Sequence, residues 1–333
     1  MDPRRTARPA SGQWSWFNYM ESLQGLNKRI KSVRNVGQIT KAMELVAATK
    51  MRKSQQIALD SRPYAFAALD FLATLSGLEQ KLPPLFDVRK KINKVLFILV
   101  ASDKGLAGAF NSSVFKKFEL HMKEDTKHSG EEKLFVAVGE KSNAYLSKRG
   151  YKILKKFVQA GDYTTSDQVA PLTKFIVDGY LNKDFDRVII ISTHFRSALK
   201  QEPHIRRVLP IDFDHMADTI TEIIPERGKF AELIKEHHIT FIPDKNRSKE
   251  YLIEPSPEKV LKKLAEHLFF MQMYHLILEA NASEHSARRM AMKTASDNAS
   301  DLGEKLNLQY NKSRQSRITT EISEISAGAE ALS

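Results

Sequence analysis

The loop ASDKGLAGAFNSS, residues 101–113, has the composition of a phosphate-binding turn. It follows an apolar run of strand length and opens a helical segment, where α/β domains often bind phosphate through the helix N-terminus. However, Gly105 and Gly108 do not form the spacing G-x-G-x-x-G, and the P-loop pattern G-x-x-x-x-G-K-[ST] occurs nowhere in the chain. The pattern therefore favours a structural turn between strand and helix over a nucleotide site.

No other residue pattern indicates catalysis or metal binding. The chain has 10 histidines, but His237 and His238 are adjacent and no H-E-x-x-H pair occurs. The pattern G-x-S-x-G is absent, and the lack of cysteine excludes disulfides, thiolate metal ligands and thiol nucleophiles. We therefore expect no catalytic residue, no metal and no cofactor.

The middle of the chain alternates between two kinds of segment. Residues 94–102, 133–139 and 186–192 are nearly continuous apolar runs rich in β-branched residues, and the segments 113–124 and 170–183 between them are amphipathic. Buried parallel strands with helical crossovers fit this alternation. Farther along, a proline-rich stretch contains two more predicted strands, IRRVLPI (205–211) and EYLIE (250–254).

Both ends of the chain are predicted to form long helices. The N-terminal helix is predicted over 21–77, since no proline lies between Pro9 and Pro63 and Gly77 with the later Pro83 and Pro84 ends the pattern. Apolar residues there recur in steps of three and four at Leu23, Leu26, Ile30 and Val33, and the pattern resumes at Ile39, Met43 and Val46 to define one helical stripe. The C-terminal helix ends in a heptad pattern at Ile318, Ile322, Ile325, Ala329 and Leu332. Because an isolated apolar stripe would stay in water, we expect the two helices to pair antiparallel.

The predicted fold class is α/β. A long antiparallel coiled coil is formed by the N- and C-terminal helices, and it carries an inserted Rossmann-like α/β domain of mainly parallel strands. The predicted domains are an N-terminal extension at 1–20, a coiled-coil helix at 21–77, the inserted domain at 92–256 and a second coiled-coil helix at 257–333. The extension is a disordered tail, a start misassigned ahead of Met20, or a targeting segment.

The charge of the chain points to an acidic partner. Its formal net charge is +12, and residues 26–56 carry eight basic residues against the single acid Glu44. A solvated helix face, nucleic acid, an anionic membrane surface and an acidic protein face all fit this balance. No apolar run is long enough to span a membrane.

The stretch ITKAMELVAATKMRKSQ, residues 39–55, closely resembles the first helix of the gamma subunit of F-type ATP synthases. The segments SDKGLAGAFN, EYLIEPSP, ASEHSARRMAMKTASDNASDL and YNKSRQSRITTEISEISAGAEAL resemble the same family in the same order. The first 19 residues and the stretch 210–249 depart from the usual bacterial form. Ala107 stands where the family often has cysteine.

The resemblance implies a non-catalytic central-stalk rotor, present once per complex, that couples proton flow to ATP synthesis or hydrolysis by rotation. The implied partners are the alpha and beta subunits, the epsilon subunit and the membrane c ring, without nucleic acid. The implied location is peripheral, on the cytoplasmic face of a bacterial inner membrane or on the matrix or stroma side in an organelle. We expect a smooth first helix with few bulky outer residues, since a turning shaft must not be trapped at one angle.

The resemblance also assigns contact residues. The positions that match beta-subunit contacts are Met43, Lys50, Arg52, Arg288, Gln315, Thr319 and Glu321. Tyr251, Leu252 and Glu254 match the segment near the c ring and epsilon. Packing within the chain is the alternative for each of them. Two other functions stay open on the residues alone: a basic coiled-coil protein that binds nucleic acid, and an α/β enzyme using the loop 101–113.

Overall fold

The computed structural model describes residues 22–60, 83–89, 91–124, 130–158, 164–212 and 254–330. Within them the chain forms two compact units, one from the described parts of 1–39 and 295–333 and the other from those of 40–294. The elements in chain order are α1 (Leu23–Asp60), a 3-10 turn (Pro84–Phe86), β1 (Lys94–Val100), α2 (Phe110–Glu124), β2 (Glu132–Val138), α3 (Glu140–Lys148), β3 (Ile153–Phe157), α4 (Ser166–Leu181), β4 (Arg187–Phe195), β5 (Gln201–Leu209) and α5 (Pro257–Glu330).

The five strands form one sheet in the order β3-β2-β1-β4-β5. β1 pairs in parallel with β2 and β4, β2 pairs in parallel with β3, and only β5 is antiparallel to its neighbour. The predicted strands at 94–102, 133–139, 186–192 and 205–211 are confirmed as β1, β2, β4 and β5. Strand β3 was not predicted, because its sequence ILKKF leaves three of five residues exposed and lacks an apolar run.

Helices cover both faces of the sheet, so alternate residues of β1 enter two cores. Leu96, Ile98 and Val100 belong to a core closed by α4 and α5. Val95, Phe97 and Leu99 belong to a second core closed by α2 and α3. Burial on both sides explains why β1 reads as a continuous apolar run instead of an alternating one.

In the first unit, α1 and α5 pack against each other in opposite directions. Leu26 and Ile30 are buried with Leu306. A Cβ added to Gly37 would lie 3.4 Å from the Cβ of Ala299, and one added to Gly303 would lie 3.9 Å from Val33 Cγ1. Rising residue numbers in α1 therefore match falling numbers in α5, and the predicted antiparallel pairing is confirmed.

The prediction of one continuous apolar stripe along α1 is wrong beyond Val33. Ile39 is 60% exposed and Val46 is 52% exposed. The buried or half-buried seam passes instead through Leu26, Ile30, Val33, Gly37, Thr40, Glu44, Ala47, Met51 and Ser54. These residues keep the 4-3 spacing of a heptad, but the middle of the seam is small or polar, so hydrophobicity alone did not reveal it.

The heptad residues at the end of α5 were expected to pack against α1, but the structure leaves them exposed. Ile318, Ile322 and Ile325 are 47%, 59% and 72% exposed. The antiparallel register puts Leu23, the first residue of α1, opposite about residue 313, so these isoleucines lie beyond the paired part of the described helices. We call Ile318, Ile322 and Ile325 the tip stripe.

Part of the predicted organisation lies outside the described residues. This applies to 1–21, to the continuation of the first helix over 61–77, and to most of EYLIE. The boundary at Pro257, where α5 begins, agrees with the return of the helical pattern in the sequence. None of the helices among the described residues combines the length and the apolar character needed to cross a membrane.

Candidate functional site

A second stripe of apolar residues runs along α1 beside the buried seam. Val36, Ile39, Met43 and Val46 each precede a seam position by one residue, which places them about 100° around the helix. Met43 is half-buried and the other three are exposed. We call these four residues the outer stripe. The expectation of few bulky outer residues is therefore wrong, since this face of α1 presents aliphatic side chains.

The basic residues near the outer stripe differ in their surroundings. Lys41 donates to Glu44 Oε2 at 2.9 Å. The side chain of Lys41 is 58% exposed, and that of Glu44 is 11% exposed. The only acid between residues 26 and 56 thus lies in the seam and is paired. Arg52 is exposed, whereas Lys50 is half-buried. The surface that α1 offers to a partner is aliphatic and positive.

Arg288 is held mainly by contacts within the chain. Its side chain is 12% exposed and donates to Glu284 Oε1 at 2.7 Å, one turn earlier on α5. The same guanidinium donates to the carbonyl oxygens of Gly105 at 3.2 Å and Lys104 at 3.4 Å, and its other amino group lies 3.3 Å from His285 Nδ1. Arg288 therefore clamps the loop after β1 onto α5, and its predicted contact with a beta subunit stays a prediction.

Glu284 is the carboxylate at the centre of this cluster. Burial raises its pKa, the nearby Asp103 carboxylate raises it further, and the charges of Arg288 and Lys50 oppose the rise. Three segments that carry the family resemblance, on α1, on the loop after β1 and on α5, thus converge at this half-buried carboxylate. Of the predicted contact residues, the structure brings Lys50 and Arg288 together here.

The loop 101–113 uses its polar groups to stabilise itself. The Ser102 backbone N–H donates to Asn111 Oδ1 at 3.0 Å, the Asn111 amide donates to Ser102 Oγ at 2.8 Å, and that hydroxyl donates to the Lys104 carbonyl at 2.7 Å. Asp103 Oδ1 accepts the N–H of Glu140, the first residue of α3, at 2.9 Å. The side chains of Ser102, Asp103 and Asn111 thus form their hydrogen bonds within the chain, which agrees with the prediction of a structural turn.

The predicted contact residues near the end of α5 form bonds within that helix. Thr319 Oγ1 donates to the Gln315 carbonyl at 3.0 Å, and Arg317 Nε donates to Glu321 Oε1 at 2.9 Å. All described side chains from residue 314 to residue 329 are exposed. The surface is therefore available to a partner, and it combines the tip stripe with intrahelical ion pairs.

The predicted contacts with the c ring and epsilon are only partly described. Glu254 is exposed just ahead of α5. Tyr251 and Leu252 lie outside the described residues.

A buried polar cluster on α5 was missed by sequence reasoning. Glu279 is 5% exposed and pairs with His194 Nδ1 on β4 and with Arg206 on β5. These partners are 85 and 73 residues away in sequence, so no local spacing could have indicated them. Among the described residues, no group of three or more histidine, aspartate and glutamate side chains is arranged to hold a metal ion.

Comparisons with known proteins agree with the resemblance seen in the sequence. The family described as ATP synthase matches residues 22–332. The chain is 35% identical over 317 residues to the ATP synthase gamma chain of Roseiflexus castenholzii, covering 94% of this chain and 99% of that one. It is 36% identical over 324 residues to the corresponding chain of Herpetosiphon aurantiacus, again covering 94% and 99%.

Solved structures share the fold at lower identity. A chain of the Euglena gracilis mitochondrial ATP synthase, from a structure of its OSCP, F1 and c-ring parts, gives a TM-score of 0.59 at 16% identity, with 93% of this chain and 94% of that chain covered. A chain from the central stalk and c ring of the Tetrahymena thermophila mitochondrial enzyme gives 0.52 at 23% identity, with coverage of 78% and 99%.

Proposed function

Because this chain belongs to the ATP synthase gamma chain family, we propose that it is the central-stalk rotor subunit of an ATP synthase. It couples proton flow through a membrane c ring to ATP synthesis or hydrolysis on the alpha and beta subunits by rotation. Its partners are the alpha and beta subunits, the epsilon subunit and the c ring, and one copy serves each complex. Catalysis belongs to the beta subunits, so the chain is non-catalytic.

The observation that carries this proposal is the separation of α1 into two stripes. The seam is covered within the chain, whereas Val36, Ile39 and Val46 are exposed beside it. Apolar attraction is non-directional and follows the area removed from water, at roughly 2.5 kcal/mol per 100 Å². An aliphatic stripe can therefore hold a shaft inside a ring at any angle, if the lining of the ring offers similar area all round.

The cations near this stripe supply the angle-dependent part of the contact. Exposed ion pairs are worth only about 0 to 1 kcal/mol each, so a long exposed side chain such as that of Arg52 can meet acidic loops of beta subunits without locking to them. Met43 lies between the exposed apolar residues of the outer stripe and these basic residues. It is half-buried and next to Glu44, which is paired with Lys41. Torque is then transmitted between the ring and this chain through the shape of the shaft and through weak polar contacts.

The other two functions considered have no supporting observation. The comparisons favour neither a nucleic-acid-binding protein nor an α/β enzyme. The loop that might serve an enzyme has its hydrogen-bonding groups committed to its own turn.

The protein is a peripheral subunit of its complex. Its relatives in Roseiflexus and Herpetosiphon are bacterial, and they support a place on the cytoplasmic face of a bacterial inner membrane. The matrix or stroma side of an organelle is the alternative.

Reconstitution tests the proposal. The purified chain is mixed with alpha and beta subunits and added to membrane vesicles stripped of the soluble part of the enzyme. We expect no ATP hydrolysis by the chain alone, hydrolysis by the mixture, and ATP-driven proton pumping only when the chain is present. Equal pumping without the chain would show that the proposed function is wrong.

A further inference from the structure

Glu279 connects α5 to the end of β4 and to the middle of β5. Its Oε1 accepts the backbone N–H of Phe195, the last residue of β4, at 3.2 Å. The same carboxylate pairs with His194 Nδ1 and lies 3.5 Å from Arg206 Nη1 on β5. The strands and the part of α5 up to residue 294 belong to the second unit, so this contact lies within one compact body.

Two more ties follow within the next nine residues of α5. Ser286 Oγ donates to the Ala198 carbonyl at 2.7 Å, in the turn between β4 and β5, and accepts from Gln201 Nε2 at 3.3 Å. Arg288 donates to the Gly105 carbonyl at 3.2 Å, in the loop after β1. Glu279, Ser286 and Arg288 thus reach different segments at the carboxyl edge of the parallel strands.

The positions of these ties on the helix matter for rotation. An α-helix turns by about 100° per residue, so Ser286 lies about 20° from Glu279 and Arg288 lies about 180° from it. The ties therefore begin at well-separated positions around α5. Rotation of the helix about its own axis stretches or bends the bonds at one or more of them.

Apolar packing restrains α5 in a different way from these hydrogen bonds. Leu276 and Ile277 of α5 are buried against the sheet. Dispersion and hydrophobic contacts depend on area and volume with little dependence on direction, whereas hydrogen bonds weaken steeply when they bend. Packing therefore resists rotations large enough to expose these side chains, and the hydrogen bonds also resist smaller rotations, which bend them.

We propose that Glu279, Ser286 and Arg288 form a torsion joint that fixes the rotational position of α5 against the α/β domain. This inference rests on the proposed rotor function. Torque applied to the α/β domain then enters the 74-residue helix instead of being lost as slippage between helix and sheet. Glu279 and Ser286 are positioning residues, and their role is mechanical.

The test compares two single variants, the double variant that combines them and a control variant in the assembled complex with alpha and beta subunits. Ser286→Ala and Glu279→Gln each weaken a tie to the α/β domain. Thr294→Ala is the matched control, because the exposed Thr294 hydroxyl bonds only within α5, to the Met290 carbonyl at 3.1 Å. A bead is attached to the α/β domain, the alpha and beta ring is fixed to a surface, and the variance of the bead angle is measured during pauses in rotation.

We expect the angular variance to rise about twofold in the double variant Ser286→Ala, Glu279→Gln, to rise less in each single variant, and to stay unchanged in Thr294→Ala. Unchanged variance in both single variants, with a lowered melting temperature, would show that the ties only stabilise the fold and would overturn the joint. Should Glu279→Gln fail to assemble, Ser286→Ala decides alone, since it removes a single hydroxyl. A wild-type complex that does not rotate would overturn the proposed function, and the joint with it.

Discussion

At the scale of single residues, Met43 is the position where a change of charge should separate assembly from coupling. It is half-buried between the seam and the exposed part of the outer stripe. A lysine there can extend outward and pair with beta carboxylates at particular rotor angles. A partly desolvated pair of roughly 1 to 3 kcal/mol would slow a rotation step about tenfold or more. We predict that Met43→Lys assembles and hydrolyses ATP but pumps few protons per ATP.

The ratio of proton pumping to ATP hydrolysis in membrane vesicles checks this prediction. Leu45→Lys is the matched control, because Leu45 is 60% exposed and lies about 200° from Met43 around α1. A second change that reduces the local positive charge or the acidity of the beta loop should restore coupling to Met43→Lys. An unchanged ratio, or loss of assembly, would mean that Met43 is only a packing residue.

Asp186 should contribute to the acid sensitivity of the α/β domain. Burial by itself would raise its pKa, but the hydrogen bond from Arg89, at 2.6 Å, and the N–H groups of Asn93 and Lys94 outweigh burial and lower it. A carboxyl whose pKa is lower in the folded state stabilises the fold above its ordinary value of 3.8, and this contribution is lost as pH falls through the folded-state pKa.

We therefore predict that Asp186→Asn lowers the free energy of unfolding at neutral pH and flattens its decline in acid. Urea unfolding of the isolated chain between about pH 6 and about pH 3 measures this. Lys91→Ala, a change of an exposed residue nearby in sequence, is the control. If the Asp186→Asn and wild-type curves fall in parallel with pH, Asp186 does not cause the acid dependence.

At the scale of elements, Gly37 sets how closely α1 and α5 pack. An added Cβ would meet the Ala299 Cβ at 3.4 Å, which is an ordinary contact, and alanine favours helix over glycine by roughly 0.5 to 1 kcal/mol. We predict that Gly37→Ala raises the thermal stability of the isolated chain. Gly37→Leu should lower it, because a larger side chain forces the helices apart. Higher stability in both variants would contradict close packing at this position.

The exposed end of α5 should matter for assembly and not for the stability of the chain. Gln315 and Lys123 are both exposed, on α5 and α2 respectively, so alanine at either position should change the free energy of unfolding by less than about 0.5 kcal/mol. We predict that Gln315→Ala weakens assembly or coupling more than Lys123→Ala. The comparison uses proton pumping in reconstituted vesicles, and equal effects would remove Gln315 from the contact surface.

At the scale of the whole molecule, attachment to the membrane should be separable from contact with the catalytic ring. Glu254 is exposed immediately ahead of α5, in the segment that resembles the part near the c ring. We predict that Glu254→Lys impairs binding to stripped membranes while ATP hydrolysis by the soluble complex survives. Glu258→Lys, a change of an exposed residue in the first turn of α5, is the control. Normal membrane binding of Glu254→Lys would contradict the assignment.

The sequence by itself determined the strands β1, β2 and β4, the two long helices and the family. Strands buried on both faces must be apolar throughout, and a proline-free amphipathic pattern has few alternatives to a helix. The same local rules missed β3, whose residues Lys155 and Lys156 are exposed at the edge of the sheet.

Only the tertiary structure decided which stripe of α1 is covered and which polar groups meet. Periodicity shows that a helix has an apolar face, but close approach at Gly37 and Ala299 puts the seam on small and polar residues and leaves Ile39 and Val46 exposed. The contacts of Glu279 with β4 and β5 and of Arg288 with Gly105 join residues 73 to 183 positions apart. Such pairs leave no mark in local spacing, because it is the packing of α5 on the sheet that brings them within hydrogen-bonding distance.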